Sequence, residues 1–163
     1  MIGVPERVIG VTGHQSLSAA TRQSVRRYLL HFLRFNAPTR GLTSLAAGTD
    51  QIFARCVLRL GGNISAVIPS DRYESTFSGP KAIHEFRELL SQATEVIRLP
   101  YAEPSEEAFW SAGKEIVDRC SVLIAVWDGK PAGGLGGTAD VVAYARNHGR
   151  PVDVVWPPGA SRQ

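Results

Sequence analysis

Short apolar runs rich in β-branched residues alternate with longer amphipathic stretches along the whole chain, and this alternation restricts the possible folds more than any other feature. The runs show little polar alternation, which is typical of strands buried on both faces. A repeated strand–helix order predicts a mostly parallel sheet with helices on both faces, a three-layer, Rossmann-like α/β fold. The predicted strands are residues 7–12, 42–46, 64–68, 95–99, 122–127 and 152–155. The predicted helices are residues 19–35, 50–60, 81–91, 106–119 and 139–148.

Length and composition indicate one globular domain. The 163 residues are 44% hydrophobic and 20% charged, so the chain is able to bury its own core. We expect the domain to span residues 1–156 and residues 157–163 to form a frayed tail. The sequence has neither a recognisable leader nor a stretch long enough to cross a membrane. Cys56 and Cys120 fall in predicted helices as core residues, so we expect a cytoplasmic protein without disulfide bonds.

The net charge of +3 and the sequence pI near 9.1 describe a mildly basic chain. This charge suits an anionic small molecule, but it is too weak by itself to indicate nucleic-acid binding. We therefore expect a nucleotide-like small molecule as the partner, and neither nucleic acid nor a membrane.

The strongest functional signal is the segment 121–142. A predicted strand ends at Asp128 and enters a loop with five glycines, and a helix begins at Thr138. Glycines let the backbone approach a ligand closely, and the first N–H groups of a helix have no partner within it. Asp128 is a candidate for binding a ribose or a metal, with a turn-forming role as an equal alternative. The predicted phosphate-binding residues are Gly133, Gly134, Gly136, Gly137 and Thr138.

The loops after the first two strands supply the other candidate ligand-binding residues, because ligands bind beyond the carboxyl ends of the strands in such sheets. Gly13 permits a sharp turn, and His14 and Gln15 follow it as candidate contacts to a ribose, base or phosphate. The alternative for His14 is a bond to local backbone. After the second strand come Gly48, Thr49 and Asp50. Capping explains Thr49, whereas Asp50 is either part of the helix start or a carboxylate for ribose hydroxyls.

The remaining polar and aromatic residues give weaker signals. Tyr73 and Phe77 lie in the longest irregular segment and are candidates for stacking on a base, with a core role as the alternative. The four histidines are scattered, so we expect no metal site and no resident cofactor. The glycine loop is not a Walker A motif, because no Lys-Ser or Lys-Thr pair follows its last glycine, and the dinucleotide fingerprint belongs after the first strand.

Taken together, the motifs resemble the SLOG superfamily, which joins the DNA-processing Smf proteins with the Lonely Guy phosphoribohydrolases. The resemblance covers nearly the whole chain. It implies a Rossmann-like sheet, a nucleotide-type pocket formed by the loops after strands one, two and five, and a homodimer. The motifs that carry it are VIGVTGHQSL, SLAAGTDQIFA, AVIP, AVWDG and GGLGGTADVVAYA.

One departure from Lonely Guy enzymes bears on mechanism. In those enzymes a glycine-rich motif ending in Thr is accompanied by a pair of Glu residues, one of which is needed to cleave the N-glycosidic bond. Here Asp140 matches the first acidic position and Val141 occupies the second. The acid/base role is unfilled unless Asp140 or Asp128 takes it, so these two are the candidate catalytic residues.

Three functions remain open from the sequence. The leading hypothesis is a module that binds a nucleotide or nucleotide-derived signal through the glycine-rich loop. The first alternative is a nucleoside-monophosphate phosphoribohydrolase of Lonely Guy type, and the second is single-stranded nucleic-acid binding. Whether the chain is an enzyme is left undecided.

Overall fold

The computed structural model describes residues 6–37, 39–131 and 133–162. The strands are β1 (Arg7–Gly13), β2 (Thr39–Thr43), β3 (Asn63–Ile68), β4 (Glu95–Arg98), β5 (Val122–Val126) and β6 (Val152–Val155). The helices of the described residues are α1 (Ala19–Phe35), α2 (Thr49–Arg59), α3 (Gly79–Ser91), α4 (Glu106–Arg119) and α5 (Thr138–Asn147), with a short 3₁₀ helix at Tyr73–Thr76.

The six strands form one parallel sheet in the order β4-β3-β2-β1-β5-β6. The chain winds outward from β1 to β4 on one side, and β5 and β6 then extend the sheet on the other side of β1. The predicted Rossmann-like α/β fold is therefore confirmed. β1 lies in the middle, where the direction of winding reverses.

Two apolar clusters hold the helices against the two faces of the sheet. On one face, α1, α2 and α3 pack over Ile9 and Val11 with side chains such as Val25 and Phe53, all buried. On the other face, α4 and α5 pack over Leu123 with Ile116 and other apolar side chains. Burial of both faces explains why the strand sequences show so little polar alternation.

Two strand glycines permit this close packing. A Cβ atom on Gly41 would lie 2.8 Å from Cε1 of Phe53, and one on Gly10 would lie 2.7 Å from Cγ2 of Ile116. Both contacts are shorter than carbon atoms tolerate. Glycine at these two positions therefore lets α2 and α4 approach the central strands.

The second strand ends three residues earlier than its sequence predicts. Leu45 has a φ of 58°, in the left-handed region, and its N–H donates to Oγ1 of Thr43 at 3.0 Å. The N–H groups of Ser44 and Ala46 donate to the carboxylate of Asp50. These side-chain bonds replace ladder bonds and turn the chain out of the sheet.

The described residues after Pro157 make defined contacts with the start of α1. The N–H of Ser18 donates to the carbonyl of Ser161 at 3.2 Å, and the N–H of Ser161 donates to Oγ1 of Thr21 at 2.9 Å. Arg162 then approaches Asp128, with 3.6 Å between Nη1 and Oδ2. We call residues 157–162 the C-terminal strap.

None of the helices in these described ranges has the length and apolar character needed to cross a membrane.

We predict that Phe53→Ala destabilises the fold by about 3–5 kcal/mol, because it leaves a cavity at a fully buried position against Gly41. Phe35→Ala is the matched control, since Phe35 is 78% exposed, and we expect a change within about 0.5 kcal/mol. Urea denaturation measures both unfolding free energies. Equal effects of the two substitutions would contradict this description of the core.

Candidate ligand-binding cleft

A cleft of about 680 Å³ lies at the carboxyl end of the sheet. It is formed by the loops after β1, β2 and β5, by the start of α5, by the 3₁₀ segment and by one side of α4. Its volume is in the range of small-molecule sites. The cleft also lies where ligands bind in doubly wound sheets, because β1 and β5 are the neighbouring strands at which the winding reverses.

The structure brings most of the predicted ligand-binding residues to this cleft. Residues that line it are Gly13, His14, Gln15, Asp50, Gly133, Gly136, Gly137 and Thr138. The other four do not line it: Gly48, Thr49, Asp128 and Gly134.

The amino terminus of α5 opens onto the cleft without a side-chain cap. Gly137 is the N-cap residue and has no side chain to accept from the helix. Within the described residues, the N–H groups of Thr138 and Ala139 donate no hydrogen bond. Unpaired N–H groups and the positive end of the helix dipole attract a negative group. Thr138 and Ala139 also line the cleft, so this end of α5 is suited to bind an anion there.

The glycines before α5 differ in how much space a side chain would have at each position. Gly136 has a φ of 83°, and a Cβ there would lie 2.7 Å from the backbone nitrogen of Trp110. A Cβ on Gly134 would meet Oε1 of Glu106 at 2.3 Å. Gly133 has open space around it. Gly136 is therefore required by packing against the backbone of α4, whereas at Gly134 the flexible Glu106 side chain could move away. Gly133 has open space on the cleft wall.

His14 is buried at the end of β1 and bonds to neighbouring backbone. Its N–H donates to the carbonyl of Val126 at 3.1 Å, and its Nε2 accepts from the N–H of Asp128 at 3.1 Å. The ring packs edge-on against Trp156, with 5.5 Å between centroids. Burial and the nearby Arg162 guanidinium lower the pKa of His14, although the Asp128 carboxylate opposes them. The ring is therefore held in its neutral form, as a link between β1 and the glycine loop.

Asp128 begins the glycine loop with a turn. Its Oδ1 accepts from the N–H of Lys130 at 3.0 Å, and this bond holds the pKa of the carboxyl below its usual range. The same carboxylate faces Nε2 of His14 at 3.3 Å and Arg162 at 3.6 Å. This geometry corresponds to the turn-forming alternative that the sequence left open.

Asp50 is a buried carboxylate on the opposite side of the cleft, 8% exposed. Its Oδ2 accepts from the N–H groups of Ser44 and Ala46 at 3.1 and 3.4 Å. Burial raises the pKa of Asp50 from an ordinary 3.8 to about 6, although hydrogen bonds from Thr43, Ala46 and Ser44 oppose the shift. The carboxylate therefore organises the loop after β2 while it lines the cleft.

Gly48 and Thr49 fix that loop to the end of β1. Gly48 has a φ of 79°, and a Cβ there would lie 2.1 Å from the carbonyl oxygen of Gln15. The hydroxyl and the N–H of Thr49 both donate to the carbonyl of His14, at 2.8 and 3.3 Å. The loops after β1 and β2 therefore act as one unit.

The far wall of the cleft is aromatic and apolar. Tyr73 and Phe77 from the 3₁₀ segment line it together with Phe109 of α4. Tyr73 is 5% exposed and packs edge-on against Phe77 and Phe86, with centroids 5.4 and 5.5 Å apart. Phe109 and Arg162 also line the cleft and were not singled out from the sequence, because only the tertiary fold brings α4 and the strap to this edge of the sheet. Lys130 lines it too, from within the glycine loop.

The two candidate catalytic carboxylates are both bonded to the loop backbone. Oδ2 of Asp140 accepts from the N–H of Gly136 at 3.1 Å, and Asp128 bonds to Lys130 as described above. Val141 is buried and packs against Gly113, where a Cβ would lie 2.7 Å from Cγ2 of Val141. Val141 also lines the cleft, so the position of the second Glu in Lonely Guy enzymes presents an apolar side chain there. Among the described residues, no group of three or more His, Cys, Asp or Glu side chains is arranged to hold a metal ion.

Comparison with solved structures supports the fold. DNA processing protein A (DprA) from Streptococcus pneumoniae superposes with a TM-score of 0.70 at 19% identity, over 93% of this chain and 50% of that one. DprA from Helicobacter pylori, whose structure is described in terms of single-stranded DNA binding, gives 0.68 at 14% identity, over 93% and 66%. The molybdenum cofactor binding protein from the phototrophic bacterium Rippkaea orientalis gives 0.61 at 18% identity, over 93% and 77%.

These similarities confirm the Rossmann-like fold. The chain spans about half the length of the pneumococcal DprA. No protein-family model matches the sequence, and no curated protein matches it either. The expectation against a nucleic-acid partner finds no support, since DNA-processing proteins are among these structures.

We predict that the titration of Asp50 makes stability depend on pH. Between pH 4 and 6 the folded protein retains a proton that the unfolded chain has released, so the unfolding free energy falls as pH rises. Across this pH range, the titration of Asp50 lowers the unfolding free energy by about 3 kcal/mol in total. Asp50→Asn removes this titration and should flatten the profile from urea denaturation between pH 4 and 7, relative to wild type and to the exposed control Asp71→Asn. Identical profiles for wild type and Asp50→Asn would refute the assignment.

We also predict that Gly136→Ala lowers the unfolding free energy by about 2 kcal/mol or more, because the new Cβ meets the Trp110 backbone and φ is positive. Gly133→Ala in the same loop has open space and should change stability by less than about 1 kcal/mol. Thermal or chemical denaturation distinguishes them. A tolerated Gly136→Ala would mean that the loop does not pack against α4 as described.

Proposed function

We propose that this chain, which has the Rossmann-like fold shared with DprA and the molybdenum cofactor binding protein, binds a nucleotide or nucleotide-derived ligand in the cleft. The observation that carries the proposal is the uncapped amino terminus of α5, which opens onto the cleft at the reversal point of the sheet. The N–H groups of Thr138 and Ala139 donate to the ligand's phosphate oxygens.

The two walls of the cleft favour a ligand with an anionic end and a flat end. Lys130 and Arg162 lie on the side of the glycine loop and add positive charge, whereas Tyr73, Phe77 and Phe109 form an apolar wall. When the phosphate of such a ligand binds at the start of α5, its base or other ring system packs against the aromatic side chains. Asp50 also lines the cleft and offers an acceptor for ribose hydroxyls. A nucleoside phosphate satisfies all three parts.

Binding without cleavage is favoured over a Lonely Guy phosphoribohydrolase. Asp140 and Asp128, the two carboxylates that the sequence offers for acid/base chemistry, each bond to loop backbone, and neither lines the cleft. Val141 presents an apolar side chain to the cleft where the second Glu would stand. General acid/base catalysis needs a carboxyl group within hydrogen-bond reach of the reacting atoms. Asp50 is the carboxylate that remains in the cleft wall, and its two backbone bonds define the β2–α2 loop.

A pair of variants at Thr138 tests the backbone donors directly. Thr138 is the first residue of α5, where proline fits the helix but lacks an N–H. The preceding Gly137 has φ −69° and ψ 173°, which is compatible with a following proline. Thr138→Pro therefore deletes one amide donor together with the hydroxyl, and Thr138→Ala deletes the hydroxyl alone.

We predict that a nucleotide from a screened panel raises the melting temperature of the wild type. At a hundredfold excess over its Kd, such a ligand adds about 2.7 kcal/mol to the unfolding free energy. Thr138→Pro should weaken binding by tenfold or more in isothermal titration calorimetry, and Thr138→Ala by much less, with both variants folded by circular dichroism. No response to any phosphorylated ligand would overturn the proposal. Equal affinities for the two variants would show that the α5 amide is not a ligand contact. Release of free base from the nucleotide would favour the hydrolase instead.

A further inference from the structure

Tyr73 carries a hydroxyl group for which the fold provides no protein partner. The side chain is 5% exposed and lines the cleft. No side-chain hydrogen bond within the described ranges involves its hydroxyl. Among the same residues, Ser70 Oγ is the one side-chain polar atom that is both sealed from solvent and unpaired. The Tyr73 hydroxyl therefore keeps access to the cleft. A hydroxyl on so buried a side chain ordinarily has a partner, and here a bound ligand is able to supply it.

Neighbouring aromatic rings fix the direction of this hydroxyl. The Tyr73 ring packs edge-on against three of them, with 5.4, 5.5 and 6.3 Å between centroids: Phe77, Phe86 and Phe109. The N–H of Tyr73 also donates to the carbonyl of Ser70 at 3.3 Å. A ring held in this way loses little freedom when its hydroxyl binds a ligand. The hydroxyl is therefore a fixed polar group in an apolar wall.

The Asp50 carboxylate lies near the Tyr73 hydroxyl. Burial raises the pKa of Tyr73, and the negative charge of Asp50 raises it further. The phenol thus keeps its proton and acts as a donor. The carboxylate accepts from the N–H groups of Ser44 and Ala46 through Oδ2, and no hydrogen bond joins it to Tyr73. Because both residues line the cleft, a ligand atom there is able to contact both groups.

A donor beside an acceptor matches the chemistry of a hydroxyl group. A hydroxyl accepts one hydrogen bond and donates another, so it is able to accept from Tyr73 while it donates to Asp50. A ligand without that hydroxyl leaves two buried polar groups unpaired. This costs more free energy than the loss of a contact at the surface. The pair therefore distinguishes ligands that differ by one hydroxyl.

The order of the strands indicates which hydroxyl the pair is able to reach. Asp50 and Tyr73 follow β2 and β3, whereas α5 follows β5 on the other side of β1. Neighbouring strands lie about 4.8 Å apart, so β2 and β5 are separated by about 10 Å. A sugar phosphate bridges a gap of this order when it forms a hydrogen bond of about 2.8 Å at each end. Its phosphate then binds at α5 and a ring hydroxyl of the sugar reaches the pair.

We propose that Tyr73 and Asp50 bind one sugar hydroxyl of the ligand between them and so determine the specificity of the cleft. Tyr73 donates to the oxygen of this hydroxyl, and Asp50 accepts its proton in a hydrogen bond. The inference rests on the proposed binding of a nucleotide or nucleotide-derived ligand. Within that class it selects ligands with an intact ribose over their deoxyribose counterparts. Tyr73 thereby acts through its hydroxyl group.

The test compares matched ligands on matched variants. AMP and UMP, each with its 2′-deoxy and 3′-deoxy counterparts, are titrated by isothermal titration calorimetry against the wild type and two variants. Ribose 5-phosphate and its 2-deoxy and 3-deoxy forms serve as probes without a base. Tyr73→Phe removes the hydroxyl and keeps the packed ring. Tyr101→Phe is the control, because the Tyr101 hydroxyl bonds to Ser111 Oγ at 2.8 Å and Tyr101 does not line the cleft. Circular dichroism verifies that both variants fold.

We expect the wild type to bind one of the two deoxy forms at least tenfold more weakly than the intact sugar, whichever base is present, because that form leaves buried groups unpaired. Tyr73→Phe should weaken binding of the intact sugar by about tenfold and binding of that deoxy form by less than threefold. The preference for the hydroxyl should then largely disappear. Tyr101→Phe should retain it. The ribose 5-phosphate series should show the same order.

Three results would overturn the inference. If the wild type binds nucleotides but binds intact and deoxy sugars equally, the specificity is wrong while the proposed function stands. If Tyr73→Phe weakens the intact and deoxy forms equally, or affects one base alone, the hydroxyl acts on the base or on the fold. If neither the nucleotides nor ribose 5-phosphate bind, the proposed function and the inference both fail.

Discussion

The pairing of β1 with both β2 and β5 is the constraint on which the site depends. Because β1 is central, the carboxyl ends of three parallel strands meet there, and the three loops that follow them face one another. Hydrogen bonds then join the loops in pairs. Thr49 donates to the carbonyl of His14, and the N–H of Asp128 donates to the His14 ring. The cleft is therefore a consequence of sheet topology, reinforced by a buried histidine that contacts both neighbouring loops.

The acidic side chains around the cleft act mainly on the protein itself. Asp50, Asp128 and Asp140 each accept from backbone N–H groups of their own or an adjoining loop. Such bonds fix irregular backbone that no regular structure supports. The donors left toward the cleft come from the first turn of α5, and the cations from Lys130 and Arg162. Because the carboxylates bond to the loop backbone while N–H donors and cations face the cleft, the cleft is suited to bind an anion.

The sequence predicted the order of strands and helices correctly. The spacing of the apolar residues, and the glycines and prolines that end each element, are local features of the sequence. It also predicted that a ligand site would lie beyond the carboxyl ends of the parallel strands. The resemblance to the SLOG superfamily implied that the loops after strands one, two and five would form it. It placed the end of β2 too late, because the bonds from Asp50 that turn the chain join residues across a loop. The contribution of Phe109 and the C-terminal strap depended on tertiary packing alone.

The bond between the Gly136 amide and the Asp140 carboxylate has a consequence for binding thermodynamics. The Asp140 carboxylate accepts from the Gly136 N–H in the free protein, so this bond holds residues 136–140 together without a ligand. Binding of the proposed ligand then requires little ordering of this turn, and the entropic cost that a flexible turn would incur is already part of folding. The heat-capacity change expected for such binding is small and confined to the surface that the ligand covers.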